Sequence, residues 1–163
     1  MTRIISILTL TFLTALSSFG QTETSFTKAE RYKTNKFDVA IFPSNYLDLI
    51  GGQRFTPTRQ EVDEAERVLQ TELKTLNKEL INQYRTPIIH KKLKKYKRQY
   101  FGYIDQNGDK ILLINCFWPK HIDFSERWLK ERIVVLDGGS YYWSVKFNLT
   151  QEELFELGVN GYA

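Results

Sequence analysis

Residues 58–85 read TRQEVDEAERVLQTELKTLNKELINQYR, and their periodicity decides how the rest of the chain must fold. Apolar residues recur here at spacings of three and four, the pattern of one buried helix face: Val62, Ala65, Leu69, Leu73, Leu76, Leu80 and Tyr84. Thr58 and Glu61 have the spacing of a capping box, in which each side chain accepts a hydrogen bond from the backbone amide of the other residue. Pro87 cannot continue a helix. The stretch therefore predicts one amphipathic helix over residues 58–85, which needs a broad apolar surface to cover it.

That surface is predicted after the helix, where the spacing of apolar residues changes to every second position. Residues 96–104 and 110–117 flank the turn DQNGD and predict a β-hairpin. Residues 132–136 and 141–148 flank the turn DGGS and predict a second hairpin. Residues 154–159 predict one further strand. Strict alternation over residues 141–148 indicates a sheet with one buried and one exposed face.

The order of these elements predicts the fold class. Residues 37–42, FDVAIF, form a short apolar run that Pro43 ends, which is typical of an edge strand. A helix followed by a meander of strands buries its apolar stripe on one face of the sheet. We therefore expect an α+β fold in which one long N-terminal amphipathic helix packs on a curved antiparallel sheet of four to five strands.

One short segment supports a resemblance to a known family. Leu49-Ile50-Gly51-Gly52, shortly before the helix, resembles the glycine-bearing N-terminal trunk of cystatins, and the element order is similar to the cystatin-like fold. PepSY-like modules and nuclear-transport-factor-2-like domains are similar at the same coarse level. The resemblance implies a fold and, for a true cystatin, inhibition of cysteine proteases. The inhibitory loop motifs are not matched, because the hairpin loops read QNGD and GGS where inhibitory cystatins carry Gln-x-Val-x-Gly and Pro-Trp.

The N-terminus has the three parts of a secretory signal peptide over residues 1–20. Arg3 supplies the positive charge, residues 4–16 are apolar, and Ser18-Phe19-Gly20 fits a cleavage site. A membrane anchor is the competing interpretation, but the apolar run is shorter than the roughly 20 residues that a span needs. We expect an exported protein, periplasmic or extracellular, with a flexible arm over residues 21–36, a single domain over residues 37–163, and no transmembrane segment in its mature form.

Composition and motifs limit the ligands, metals and catalytic groups that the chain is expected to use. The net charge is +4, a mild excess that does not call for a nucleic-acid partner in an exported protein. Cys116 is the single cysteine, so no intrachain disulfide can form, and two histidines are too few for a zinc site. No cofactor or metal is expected. A nucleophilic Cys116 with His90 or His121 as its base is the nearest catalytic arrangement, but the apolar run around Cys116 is typical of a buried thiol.

Three surfaces are candidates for binding. The basic run 90–98, HKKLKKYKR, is suited to an anionic polymer, although lysines before an edge strand also discourage sheet pairing. The aromatic loop 117–128 is suited to a partner, although it could equally be a lid over the core. The alternate row of residues 142–148 is the third surface, and an ordinary sheet face explains it as well. The candidate residues are Lys94, Lys95, Lys97, Arg98, Trp118, Trp128 and Tyr142.

These observations leave three hypotheses for function. The favoured one is an exported, non-enzymatic binding module for a protein or an anionic polymer. The second is a small-ligand carrier or enzyme with a pocket between helix and sheet, which a core filled by side chains would exclude. The third is a cystatin-type protease inhibitor that uses Gly51-Gly52 and the two hairpin loops.

Overall fold

The computed structural model describes residues 28–46, 52–121 and 126–162. The fold is α+β, with one α-helix and a mixed sheet of seven strands among the described residues. The helix is α1 (Arg59–Leu76), and three strands precede it: β1 (Glu30–Lys33), β2 (Asp38–Ile41) and β3 (Gln53–Phe55). Four strands follow it: β4 (Lys97–Ile104), β5 (Lys110–Phe117), β6 (Tyr142–Asn148) and β7 (Glu153–Val159).

The prediction of a long N-terminal helix on four to five antiparallel strands is wrong. The helix lies mid-chain, and the sheet runs β1-β2-β4-β5-β6-β7, with β3 paired to β4. The connection between β2 and β4 contains α1, which returns the chain to the end of the sheet where β2 began. β2 and β4 are therefore parallel. β2 and β3 share one edge of β4, β2 opposite residues 98–100 and β3 opposite residues 102–104. Gly102 permits this second pairing, since a Cβ there would lie 2.6 Å from the Phe55 carbonyl oxygen.

The start of α1 agrees with the prediction from the sequence, and its end does not. Thr58 and Glu61 form both halves of the capping box. The helix ends at Leu76 because the Asn77 side chain enters a buried hydrogen-bond network, and Leu80 and Asn82 then take positive φ angles that no α-helix contains. Leu80 is consequently 40% exposed and leaves the predicted apolar stripe.

Both faces of the central strands are covered, whereas β6 shows the predicted alternation, with Trp143, Val145 and Phe147 buried and the residues between them half-buried. α1 covers the first face, and its core includes Val62, Leu69, Leu73, Tyr100, Ile114, Trp143, Val145 and Phe147. The segment 126–136 crosses the second face, and that core includes Ala40, Phe42, Phe101, Leu113, Phe117, Trp128, Leu129 and Ile133. α1 and the segment 126–136 therefore exclude water from the two sides of the central strands β4 and β5.

Residues 132–136 were predicted to be a strand of a second hairpin, and the structure shows no strand there. Two amide side chains of the sheet satisfy the backbone of this segment instead. The Gln99 Nε2 donates to the carbonyls of Trp128 and Glu131, and the Gln99 Oε1 accepts from the Ile133 amide, each at 2.8 Å. The Asn115 Nδ2 donates to the Ile133 carbonyl at 2.8 Å. The segment is thus held across the sheet and does not extend it.

Some of the remaining predictions for strands are confirmed and others are wrong. The first hairpin and the strand over residues 154–159 are confirmed as β4–β5 and β7. The segment 37–42 contains β2, which is not an edge strand, because β1 pairs with its other side. β1 lies within the stretch 21–36 that was expected to be a flexible arm. The predicted signal peptide lies outside the described residues, and within the described ranges no helix is long and apolar enough to span a bilayer.

Candidate functional site

The basic run 90–98 is divided by the structure into outward-facing and inward-facing side chains. Lys94 and Lys95 are exposed, on a turn that precedes β4. Lys97 and Arg98 are neighbours in β4, so their side chains point to opposite faces of the sheet. The Lys97 ammonium lies 4.2 Å from the centre of the Trp128 ring on the second face. Arg98 is buried beneath α1. The structure thus keeps only the first part of the run on the surface.

Arg98 belongs to a buried polar cluster on the helix side of the sheet. Its Nε lies 3.3 Å from Oε1 of Glu66, a side chain that α1 carries into the core. The same Glu66 oxygen accepts a hydrogen bond of 2.8 Å from the Tyr100 hydroxyl. Arg98 Nη2 donates to the Leu93 carbonyl at 2.7 Å. The cluster therefore connects α1 and β4 to the turn that carries the exposed lysines.

Two short 3₁₀ turns, Ile89–Lys91 and Leu93–Lys95, carry the exposed lysines. Ile89 and Leu93 are buried and fix the turns to the core. The lysines between and after these two residues are exposed: Lys91, Lys92, Lys94 and Lys95. The apolar anchors that alternate with the lysines thus attach this charged segment to the core.

The turns border a hollow of about 350 Å³ beside α1. Gln70 of the helix and residues 90–95 line it. Within the described ranges, no carboxylate lies within ion-pair distance of Lys91, Lys92, Lys94 or Lys95, whereas Lys28, Arg31, Arg59, Lys110 and Lys146 each have an acidic partner. The hollow is therefore a concave surface with four uncompensated positive charges.

His90 lies half-buried in the wall of this hollow and is tied to the end of α1. Asn77 Nδ2 lies 3.0 Å from the His90 Nδ1. Asn77 and Gln83 exchange two amide hydrogen bonds, and Gln83 Oε1 also accepts from the Ile89 amide at 3.0 Å. Burial lowers the pKa of His90, and the charges of Lys91 and Lys74 lower it further. Burial and the two lysine charges thus act in the same direction, and both favour the neutral ring.

The aromatic candidates do not form one exposed surface. Trp128 is buried, with its ring against Phe117 and beneath Lys97. Trp118 is half-buried and packs edge to face on Tyr96, at 5.1 Å between ring centres. Tyr142 lines a separate small depression of about 110 Å³ with residues 132–135. Trp128 therefore packs into the second core as part of the segment 126–136 that covers it.

Cys116 lies opposite Arg98 in the β4–β5 pair and is buried. Burial raises the pKa of its thiol, and the nearby Arg98 lowers it by less. A thiol that stays protonated and shielded from solvent cannot act as a nucleophile. Its proposed base His90 is hydrogen-bonded to Asn77, and the His121 side chain lies outside the described residues. Among residues 28–46, 52–121 and 126–162, no group of three His, Cys, Asp or Glu side chains is placed to hold a metal ion.

The space between α1 and the sheet is filled by side chains. Leu69 and Leu73 of the helix meet Trp143 and Phe147 of β6 in one continuous core. A larger open depression of about 460 Å³ lies beside Tyr103 and the β4–β5 turn, and its one lysine, Lys146, pairs with Glu156 at 2.5 Å. The hollow lined by Gln70 and residues 90–95 differs from it in having four lysines around one space, none of them ion-paired to another described residue.

Sequence reasoning missed Glu66, Asn77 and Gln83. The signal for Glu66 was present, because it lies four residues after Val62 on the apolar face of α1, where a charged side chain requires a buried partner. Asn77 and Gln83 were assigned to the helix, so their contacts with the basic run were not anticipated. Only the end of α1 at Leu76 brings Asn77 to His90 and Gln83 to the Ile89 amide.

The chain was compared with protein-family models, with curated proteins and with solved structures. No family model matches it, and neither a curated protein nor a solved structure is similar enough to count as a match. A function for this chain therefore has to be inferred from its own fold and side-chain geometry.

Proposed function

We propose that the chain is an exported, non-enzymatic binding protein whose basic hollow binds an anionic polymer. The observation that supports this most directly is the set of four exposed lysines around a hollow of about 350 Å³, which have no ion-pair partner in the part of the chain that the structure describes. Unpaired surface cations attract anionic groups and release counterions when a polyanion binds.

The attachment of the lysine turns to the core strengthens the proposal. Ile89 and Leu93 are buried, and the Leu93 carbonyl is held by the buried Arg98. A ligand would therefore meet lysines whose backbone is already in position, and it would not have to order a flexible loop at the cost of binding energy. The lysines do not shield a sheet edge, because β4 pairs with β2 and β3 on one side and with β5 on the other.

Export makes an anionic glycan a more suitable ligand than nucleic acid. The proposed leader would bring the protein to the cell envelope or the medium, where sulfated, phosphorylated and carboxylated polysaccharides are the common polyanions. The charged head of Lys binds such groups as a compact point charge. The partner class is therefore a polymer that carries repeated anionic groups.

The test is a binding titration of the folded protein with heparin, inorganic polyphosphate and poly-glutamate at several salt concentrations. We expect the Lys94→Gln/Lys95→Gln variant to bind at least about tenfold more weakly and to show a smaller dependence of affinity on salt. The matched control is Lys33→Gln/Lys130→Gln, which removes the same charge from exposed positions outside the hollow.

Equal losses in the two double variants would mean that only the net charge matters, and the proposal of a specific site would then be overturned. Absence of binding to all three polymers by the wild-type protein would overturn it as well. Single-stranded DNA is included as a fourth probe, and binding to DNA alone would replace the proposed ligand class.

A further inference from the structure

A backbone amide determines where the proton of His90 lies. The Ile89 N–H can only donate, and it faces Gln83 at 3.0 Å, so the facing atom must be the carbonyl oxygen Oε1. The other end of the Gln83 amide is then Nε2. That assignment agrees with its second neighbour, the Ile81 carbonyl oxygen at 3.2 Å.

The assignment passes from Gln83 to Asn77 and then to His90. Gln83 Nε2 donates to the Asn77 Oδ1 at 2.5 Å, so the remaining Asn77 atom is Nδ2, which can only donate. This Nδ2 lies 3.0 Å from Nδ1 of His90. The His90 Nδ1 must therefore accept, and the ring proton lies on Nε2. Flipping either amide would place two donors against each other.

We propose that the Nε2–H of His90 is the specificity-determining donor of the basic hollow, to which an oxygen of the bound sulfate, phosphate or carboxylate group is hydrogen-bonded. This inference rests on the proposed function of the hollow. The lysines attract any polyanion from a distance, whereas a fixed N–H selects where an oxyanion sits. Because Nδ1 faces Asn77, Nε2 is the ring nitrogen left to face the hollow that His90 lines.

The surroundings of His90 keep this donor neutral. The charged groups around the ring are Lys74 on α1 and Lys91, Lys92, Lys94 and Lys95 on the turns, and all of them oppose a second proton. A proton on Nδ1 would also break the hydrogen bond from Asn77. The free protein therefore presents this donor on an uncharged ring at pH values above the lowered pKa of His90.

Two amide substitutions separate the two ring nitrogens. His90→Gln can place an N–H near the position of Nε2, whereas His90→Asn can replace only Nδ1 and its contact with Asn77. We expect His90→Gln to bind heparin and polyphosphate within about threefold of wild type. His90→Asn should bind about tenfold or more weakly, the loss expected for one hydrogen bond to a charged group. Thermal unfolding of both variants shows that each is folded at the binding temperature.

Nitrogen-15 NMR of the histidine side chain provides a readout that does not depend on a variant. We expect an unprotonated Nδ1 and a protonated Nε2 in the free protein, and a shift of the Nε2–H resonance when polyphosphate is added. A proton on Nδ1, or full affinity in His90→Asn, would overturn this inference while leaving the hollow as a binding site. If wild type binds none of the polymers, the proposed function itself fails, and the tautomer measured by NMR still reports on the Ile89–Gln83–Asn77 network.

Discussion

Arg98 carries a positive charge into the core, where its position depends on one carboxylate. The Arg98 and Glu66 side chains are 1% and 3% exposed, and the Nε to Oε1 distance is 3.3 Å. Burying two charges costs several kcal/mol, which their attraction and hydrogen bonds offset only while both are present. The pair also holds the Leu93 carbonyl, so it connects core electrostatics with the shape of the basic hollow.

At the residue scale, we therefore predict strong coupling between these two positions. Arg98→Met should lower the free energy of unfolding by about 3–5 kcal/mol at pH 7, because the Glu66 carboxylate is left buried without its counter-charge. Adding Glu66→Gln should recover part of that loss, since Gln carries no charge and still accepts the hydrogen bond of Tyr100. Urea denaturation of the two single variants and the double variant measures the coupling. Lys94→Met is the control, and its free energy of unfolding should change by less than about 0.5 kcal/mol. If the losses in the two single variants simply add in the double variant, the prediction is contradicted.

At the element scale, the first turn of α1 joins the helix to the sheet. The Glu61 carboxylate accepts from the Thr58 backbone amide at 2.8 Å and forms an ion pair with Lys110 at the start of β5. Burial raises the pKa of Glu61, but the hydrogen bonds from Lys110 and Thr58 outweigh it, so the net pKa is lowered. One carboxylate thus caps the helix and links it to a strand.

A lowered pKa gives this contact a defined dependence on pH. In the folded state Glu61 ionises at lower pH than in the unfolded chain, so its contribution is present above about pH 4.3 and is lost as the pH falls through the folded-state pKa. Glu61→Gln keeps an acceptor for the capping box but has no charge. We expect the free energy of unfolding of the wild type to exceed that of this variant by about 0.5–1 kcal/mol at pH 7 and by less at about pH 3. Urea denaturation at the two pH values tests this, and a difference that does not change with pH would refute it.

At the scale of the whole molecule, the sheet separates two cores that are covered in different ways. α1 covers the first with a continuous helical stripe, whereas the segment 126–136 covers the second with irregular chain held by Gln99 and Asn115. Buried backbone groups need hydrogen-bond partners, and the two amide side chains supply them where a strand would have used its neighbour.

This arrangement predicts a structural role for Trp128. Trp128→Ala should lower the free energy of unfolding by about 3–5 kcal/mol, because it removes a large buried ring from the second core. Its affinity for heparin should equal that of wild type at a temperature where the variant is folded, because Lys97 and Trp128 lie on the sheet face opposite α1 and its hollow. Denaturation and the binding titration are measured on the same preparation. A stable variant that has lost affinity would instead make Trp128 a binding residue.

The candidate site was only partly visible in the sequence. The density of lysines between residues 90 and 98 indicated an electropositive surface, and Lys94 and Lys95 lie on it. The alternation of β4 sends Lys97 and Arg98 elsewhere, and that could not be known before the register of the strand was known. Glu66 on an apolar helix face indicated a buried charge pair. Its partner could not be predicted, because Arg98 is distant from Glu66 in the chain.

The sequence by itself determined the elements that depend on near neighbours: the capped start of α1, the β4–β5 hairpin and the strand β7. In each of these, the hydrogen bonds join residues of one turn or of two adjacent strands in the chain. Only the tertiary structure decided that β1 joins the sheet beyond β2, that β2 runs parallel to β4, and that residues 132–136 cross a sheet face. It also decided that α1 ends at Leu76, so that Asn77 reaches His90. The physical reason is that backbone groups and buried charges are satisfied by partners that only the folded chain brings within reach.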